Sequence, residues 1–177
     1  MTVAGHPSCH LERARKEDEV VADGTETGVP EPVHAHFDGL CQPKNPGGYA
    51  CGGWTIDPHL EVPGLTAGLA GGGFYIKGDG ATNNVAEFRA ALDVLTALVE
   101  VGYRGPVVLY GDSQIVVYQF KEQYKCRNAK LQPLLAQLRE RAALFSSFEM
   151  VWVERESNEE ADEQSRLAYK RAIDGEA

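Results

Sequence analysis

Cysteine, histidine, positive charge and long apolar runs are all scarce in these 177 residues, and each shortage removes a class of protein. The four cysteines, Cys9, Cys41, Cys51 and Cys126, form no C-x-x-C pair and are too few to staple a chain of this length, so reduced thiols and a cytoplasmic setting are expected. No apolar run approaches the roughly 20 residues of a membrane span, and the opening MTVAGHPSCH lacks the apolar core of a signal peptide. No membrane association is expected. Lys and Arg number 17 against 26 Asp and Glu, a formal net charge of -9. Bulk electrostatics therefore cannot hold a polyanion, and any nucleic-acid contact needs a local basic patch or bound cations.

A composition of 43% hydrophobic and 24% charged residues suits one globular domain with a tail. Residues 1–31 lack sustained periodicity and carry seven Asp or Glu against three Lys or Arg, so they are expected to form a flexible acidic tail to a folded domain over 32–174. Within that tail His6, Cys9 and His10 are metal-ligand types, but no second cluster follows nearby. The domain opens on Val33-His34-Ala35-His36-Phe37-Asp38-Gly39, whose alternation predicts a strand ending at Asp38, with Gly39 permitting a sharp exit. Three readings compete for it: an edge strand closing in an Asp-Gly turn, an imidazole metal site of the metallo-β-lactamase kind, or one carboxylate of a magnesium site assembled from distant segments. Of the five histidines only His59 follows His36, which falls short of a dinuclear imidazole site.

Strands are predicted over Tyr49 to Asp57 and Gly72 to Lys77, making an antiparallel meander with the first, with a Gly- and Pro-rich stretch between them. The period then changes: Phe88, Ala91, Leu92, Leu95, Leu98 and Val99 predict an amphipathic helix over Asn84 to Val101. Asn84 is its expected N-cap and Glu87 the partner of a capping box. Val107 to Tyr110 reads as a buried parallel strand, followed by Gly111-Asp112-Ser113 and a helix from about Gln114 to Phe120. Residues 121–141 hold the basic patch, six Lys or Arg (Lys121, Lys125, Arg127, Lys130, Arg139 and Arg141) against two Glu. A helix over Leu131 to Phe145, a strand over Phe148 to Glu154 and a last helix from the N-cap Asn158 to about Ile173 complete the domain, with Asp162 in the first turns of that helix.

Asp38, Glu87, Asp112 and Asp162 thus stand near element ends, each with an ordinary structural explanation of its own. Their coincidence in this order resembles the type 1 ribonuclease H family, through Asp38-Gly39 with Asn45-Pro46-Gly47-Gly48-Tyr49, Thr82-Asn83-Asn84-Val85-Ala86-Glu87, Gly111-Asp112-Ser113-Gln114 and Asn158-Glu159-Glu160-Ala161-Asp162-Glu163. The resemblance covers about residues 33–173. It implies an α/β RNase H-like fold, a five-stranded mixed sheet with an antiparallel meander followed by parallel α/β units, flanked by helices, with the strand of Asp38 central. It also implies an endoribonuclease that cuts the RNA strand of RNA–DNA hybrids, with the four acids as catalytic metal ligands. Four such carboxylates cannot all stay ionised without cations, and hard oxygen ligands suit two Mg²⁺ ions, with Mn²⁺ as a substitute. Asn45, Asn83, Asn84 and Gln114 would contact the nucleic acid in the minor groove, Thr82 would hold a DNA-strand phosphate, and Lys125 and Arg127 would add basic contacts.

Two departures bear on activity. The histidine that many members carry in the loop before the last helix is missing from Glu154-Arg155-Glu156-Ser157, where Arg155 is the candidate substitute and Asn158 a further auxiliary residue. The basic protrusion of many bacterial members is reduced to the patch around Lys121 to Lys130. Two alternatives stay open: a hybrid- or RNA-binding module without catalysis, and a relative preferring double-stranded RNA. No protein partner is implied, and a monomer is expected.

Overall fold

The computed structural model describes residues 31–57 and 69–175. Apart from Glu31, the expected tail lies outside the described residues, as do His6, Cys9, His10 and most of the Gly- and Pro-rich stretch after Pro58.

Strands β1 (Val33–Gln42), β2 (Tyr49–Ile56) and β3 (Ala70–Lys77) form the meander. Helix α1 (Asn83–Glu100), strand β4 (Val107–Gly111), helices α2 (Gln114–Phe120) and α3 (Gln132–Ala142), strand β5 (Phe148–Trp152), a 3-10 turn at Arg155–Ser157 and helix α4 (Glu159–Asp174) follow. The sheet order is β3-β2-β1-β4-β5, antiparallel from β3 to β1 and parallel from β1 to β5. β1 is therefore central, as expected. Among the described residues no helix is long and apolar enough to cross a membrane.

Alternation along β1 sends Val33, Ala35 and Phe37 to one face, where they are fully buried against Phe88, Ala91, Leu95 and Leu98 of α1 and Leu138 of α3. Each large side chain so buried contributes about 1.5–3 kcal/mol relative to exposure. His34, His36 and Asp38 point to the opposite face, which α4 crosses over β1, β2 and β3. The inner stripe of α4 is Ala161, Ser165 and Ala168, small enough for close approach. At Gly53, the partner of Asp38 in the ladder, an added Cβ would collide with the backbone of Ser165 and Ala161.

Several expected boundaries move, each for a local reason. Asp38 does not end its strand: β1 runs on to Gln42, paired with β2 down to Tyr49. Gly39 makes no turn; a Cβ there would strike the α1 backbone at Ala86 and Glu87, so its role is to admit the helix. α1 is capped by Thr82, whose Oγ1 accepts the Val85 N–H at 3.1 Å, and not by Asn84, so the expected capping box is not formed and Glu87 is left for other work. β4 is buried on one face only, with Val108 and Tyr110 half-buried on the other. α3 and β5 are shorter than expected at both or one end, α3 beginning with Pro133 in its first turn and β5 stopping at Trp152.

Candidate active site

Three acids meet where β1, β4 and α1 come together. The parallel register pairs Phe37 with Gly111, so Asp112, the next residue after β4, arrives beside Asp38. Glu87 enters from the first turns of α1, held there by the close seat of its backbone on Gly39. One carboxylate oxygen from each of Asp38, Glu87 and Asp112 lies within 4.8 Å of the others. Among the described residues this is the one group of His, Cys, Asp and Glu with such geometry.

Two of the three are also short of solvent, while Asp112 is half-buried. Asp38 is 5% and Glu87 9% exposed. Burial, then the charges of Asp112 and Asp162, raises Asp38 from 3.8 to about 6, against the opposing hydrogen bond from Ser165 and the charge of Arg155. Glu87 is pushed well above the usual carboxylate range, first by burial and then by Asp38 and Asp112. Its Oε2 is buried with no hydrogen-bond partner, a costly state for an anion that a cation would relieve. All-oxygen donors, mostly buried, mutually repelling and partly unpartnered, fit a hard divalent cation.

Of the four expected acids, Asp162 stands apart from the other three. Its Oδ1 accepts from Arg155 at 2.8 Å and its Oδ2 from Arg166 at 2.7 Å, and it lies outside the close group of three, near enough to act on Asp38 by charge. Arg166 is one turn along α4 and Arg155 precedes it, so the helix itself supplies the pairing.

Neither histidine of the first strand joins the acids. His34 Nδ1 is 2.9 Å from the Tyr110 hydroxyl, His36 Nδ1 is 3.2 Å from Asn158 Oδ1, and both rings stack on Tyr110. The imidazole-site reading is thereby set aside. Asn158 occupies the N-cap position of α4, yet its side chain makes no cap: Nδ2 donates to the Phe37 carbonyl at 2.9 Å and to Asp112 Oδ1 at 3.3 Å.

Two supporting residues escaped the sequence reading. Ser165 Oγ, fully buried, stands 2.5 Å from Asp38 Oδ2, and a polar residue on the otherwise apolar inner stripe of α4 was the available signal. Trp152 Nε1 donates to the Asp112 carbonyl at 3.1 Å, which no local pattern announces.

The expected substrate residues fall into two groups. Asn45, Thr82, Asn83 and Asn84 lie at the β1–β2 loop and the start of α1, with Asn45 Oδ1 accepting the Asn83 N–H at 3.2 Å. Thr82 shares an open cavity of about 700 Å³ with Lys44, Asn128 and Lys130. Gln114 is exposed at the start of α2, two residues beyond Asp112. Lys125 and Arg127 line a separate cavity of about 680 Å³ with Tyr124 and Gln132. The basic patch is thus divided, and Arg139, which also lines the second cavity, donates to the Gln119 and Phe120 carbonyls and pairs with Glu122.

Fold and acid cluster together define an RNase H-like protein, and comparison with known proteins agrees. A family model described as reverse transcriptase-like matches residues 45–168, and the chain belongs to that family. Ribonuclease HI of Halobacterium salinarum is 35% identical over 130 residues, covering 73% of this chain and 60% of that protein. The crystal structure of RNase H1 from the same archaeon superposes with a TM-score of 0.67 at 28% identity, over 79% of this chain and 98% of that one. The N-terminal RNase H domain of Rv2228c from Mycobacterium tuberculosis also gives 0.67, at 26% identity, over 82% of this chain and 99% of that one. This chain spans less than two thirds of the curated ribonuclease HI.

Proposed function

We propose that this chain is a metal-dependent endoribonuclease that hydrolyses the RNA strand of RNA–DNA hybrids, leaving 5′-phosphate and 3′-hydroxyl ends. The observation that carries the reading is the convergence of Asp38, Glu87 and Asp112 within 4.8 Å, with Glu87 Oε2 buried and unpartnered. The similarity to the archaeal ribonuclease HI supports the same reaction.

Asp38, Glu87 and Asp112, with Asp162 at the margin, would hold two Mg²⁺ ions, for which Mn²⁺ can substitute. Bound there, the ions supply Lewis-acid activation of water and charge stabilisation of the departing 3′-oxygen. The chain's own residues do the rest. Thr82 Oγ1 already accepts from Val85, so its hydroxyl hydrogen is left to donate to a backbone phosphate, with Lys44 and Lys130 supplying charge in the same cavity. Asn45 spends its carbonyl oxygen on Asn83, leaving its amide N–H groups as donors, and with Asn83, Asn84 and Gln114 it provides the polar set that tests for a ribose 2′-OH. Lys125 and Arg127 extend the phosphate contact beyond that set. Arg155 is a permanent cation and so cannot shuttle a proton as a loop histidine would; paired with Asp162, its contribution is electrostatic, in binding and product release. A cytoplasmic location and a monomeric state belong to the same proposal, the first supported by the free thiols of Cys41, Cys51 and Cys126.

The test presents matched RNA–DNA, RNA–RNA and DNA–DNA duplexes to the full chain in Mg²⁺ and in Mn²⁺. Cleavage of the RNA strand of the hybrid alone is expected, falling at least about 100-fold in Asp112→Asn, which removes a ligand charge at constant shape. Equal cutting of RNA–RNA would favour a double-stranded RNA enzyme, and binding of the hybrid without cleavage would favour a binding module.

A further inference from the structure

His36 stands on the central strand two residues before Asp38, half-buried, and the ribonuclease chemistry leaves it without a part. Its surroundings constrain it closely. Asn158 is 2% exposed, and its amide faces two groups that only accept: the Phe37 carbonyl at 2.9 Å and Asp112 Oδ1 at 3.3 Å. The Nδ2 end must therefore be the one turned toward them, since a flipped amide would set oxygen against oxygen twice. Asn158 Oδ1 is then an acceptor in need of a donor, and the atom there is His36 Nδ1 at 3.2 Å. That fixes the imidazole as the tautomer with hydrogen on Nδ1. Tyr110, the partner of His36 across the parallel ladder, stacks on its ring at 4.8 Å between centroids and 21° between planes, setting the plane in which that hydrogen lies.

We propose that His36 is a positioning residue for Asp112: its Nδ1–H locks the Asn158 amide in the orientation that donates to Asp112 Oδ1, and so fixes the rotation of that carboxylate. The need is local. Asp112 is the least buried of the three converging acids, and it follows the end of β4, where the ladder no longer constrains its side chain. Trp152 holds its carbonyl, and Asn158 is the side chain that holds its carboxylate. Without a donor on Asn158 Oδ1, that oxygen is left buried and unpaired, and the amide is held only through its Nδ2 end, free to tilt away from Asp112 Oδ1. The inference rests on the nuclease reading for its catalytic consequence, while its structural content concerns the acid cluster alone.

Two substitutions separate the hydrogen bond from the ring. His36→Phe keeps the stack on Tyr110 and removes the donor, whereas His36→Asn removes the ring and returns an amide N–H at about the place of Nδ1. Mn²⁺ affinity of the full chain is read by calorimetry, and kcat and KM for hybrid cleavage are read at saturating metal. Groups that orient metal ligands in this way are worth about 10–100-fold in affinity or activity when removed. His36→Phe should weaken Mn²⁺ binding and lower kcat by about tenfold at nearly unchanged KM, and His36→Asn should return both to within about threefold of the wild type. In an Asn158→Ala background, His36→Phe should change Mn²⁺ affinity no further, because the path runs through the amide. The proposal is overturned by full Mn²⁺ affinity in His36→Phe, by equal losses in both single variants, or by additive losses in the double variant. Mn²⁺ affinity decides for His36 whether or not the hybrid is cut, so a wild-type chain that binds Mn²⁺ without cleaving would overturn the nuclease reading alone.

Discussion

A carboxylate buried on the central strand is a liability to the fold, and Asp38 shows how large a one. Burial and like charge raise it from 3.8 to about 6, so the folded chain holds that proton more tightly than the unfolded chain does. The sign follows from linkage: the stability associated with this group is complete below about pH 4 and is lost as pH rises through about 6. A shift of this size corresponds to about 3 kcal/mol at neutral pH in the absence of metal. In EDTA, the stability difference between Asp38→Asn and the wild type should therefore move in favour of the variant by about that amount between pH 4 and pH 8, measured by urea unfolding. Mg²⁺ at pH 8 should stabilise the wild type and leave the variant nearly unmoved, since a ligand that binds only the folded state adds to its stability. A variant that gained nothing over this range would mean that Asp38 is not held as a strained acid. Glu87 pulls the same way, being buried and further raised by Asp38 and Asp112.

Elements enter the site through backbone contact, and one such close approach is that of α1 to β1 at Gly39. Replacing Gly39 with Ala puts a methyl into the backbone of Ala86 and Glu87, which must move away. Overpacking of this kind costs about 1–3 kcal/mol, and here the displaced residue is itself a member of the acid cluster. Gly39→Ala should lower the urea midpoint by that measure and weaken Mn²⁺ binding together with it; loss of stability at unchanged metal affinity would show that Glu87 is not seated by this contact. The same element shows what sequence could and could not reveal. Phe88, Ala91, Leu95 and Leu98 announced the helix by their period, and the alternation of Val33, Ala35 and Phe37 announced the central strand, because each pattern records which face is buried. The Asp-Gly pair after Phe37 looked like a turn for want of any local sign that a distant helix needed the space. Thr82 and Asn84 are both fair caps by composition, and only the path of the chain chose Thr82. The motif order singled out Asp38, Glu87 and Asp112, which the fold brings together, but the reach of Ser165, His36 and Trp152 across the sheet joins residues far apart in the chain.

At the scale of the whole molecule the proposed function poses a difficulty, since it asks a chain of net charge -9 to hold a polyanion. Long-range attraction is therefore weak, and binding must come from cations at fixed places. The structure separates these into Lys44 and Lys130 around Thr82 and Lys125 and Arg127 over the second cavity, while Arg139 is engaged by the Gln119 and Phe120 carbonyls and Glu122. If those four meet phosphates, counterion release sets a slope of about -3 to -4 for the logarithm of the hybrid association constant against the logarithm of salt concentration. The inactive Asp112→Asn chain allows this to be measured by fluorescence anisotropy without cleavage, over about 50 to 200 mM KCl. Lys130→Ala and Lys125→Ala in that background should each flatten the slope by about 1 and weaken binding to any hybrid sequence alike. Arg139→Ala should leave the slope unchanged and lower the urea midpoint instead, because its guanidinium ties α3 to the end of α2. A slope that fell with Arg139→Ala and not with Lys130→Ala would place the phosphate path along α3, away from the cavity of Thr82.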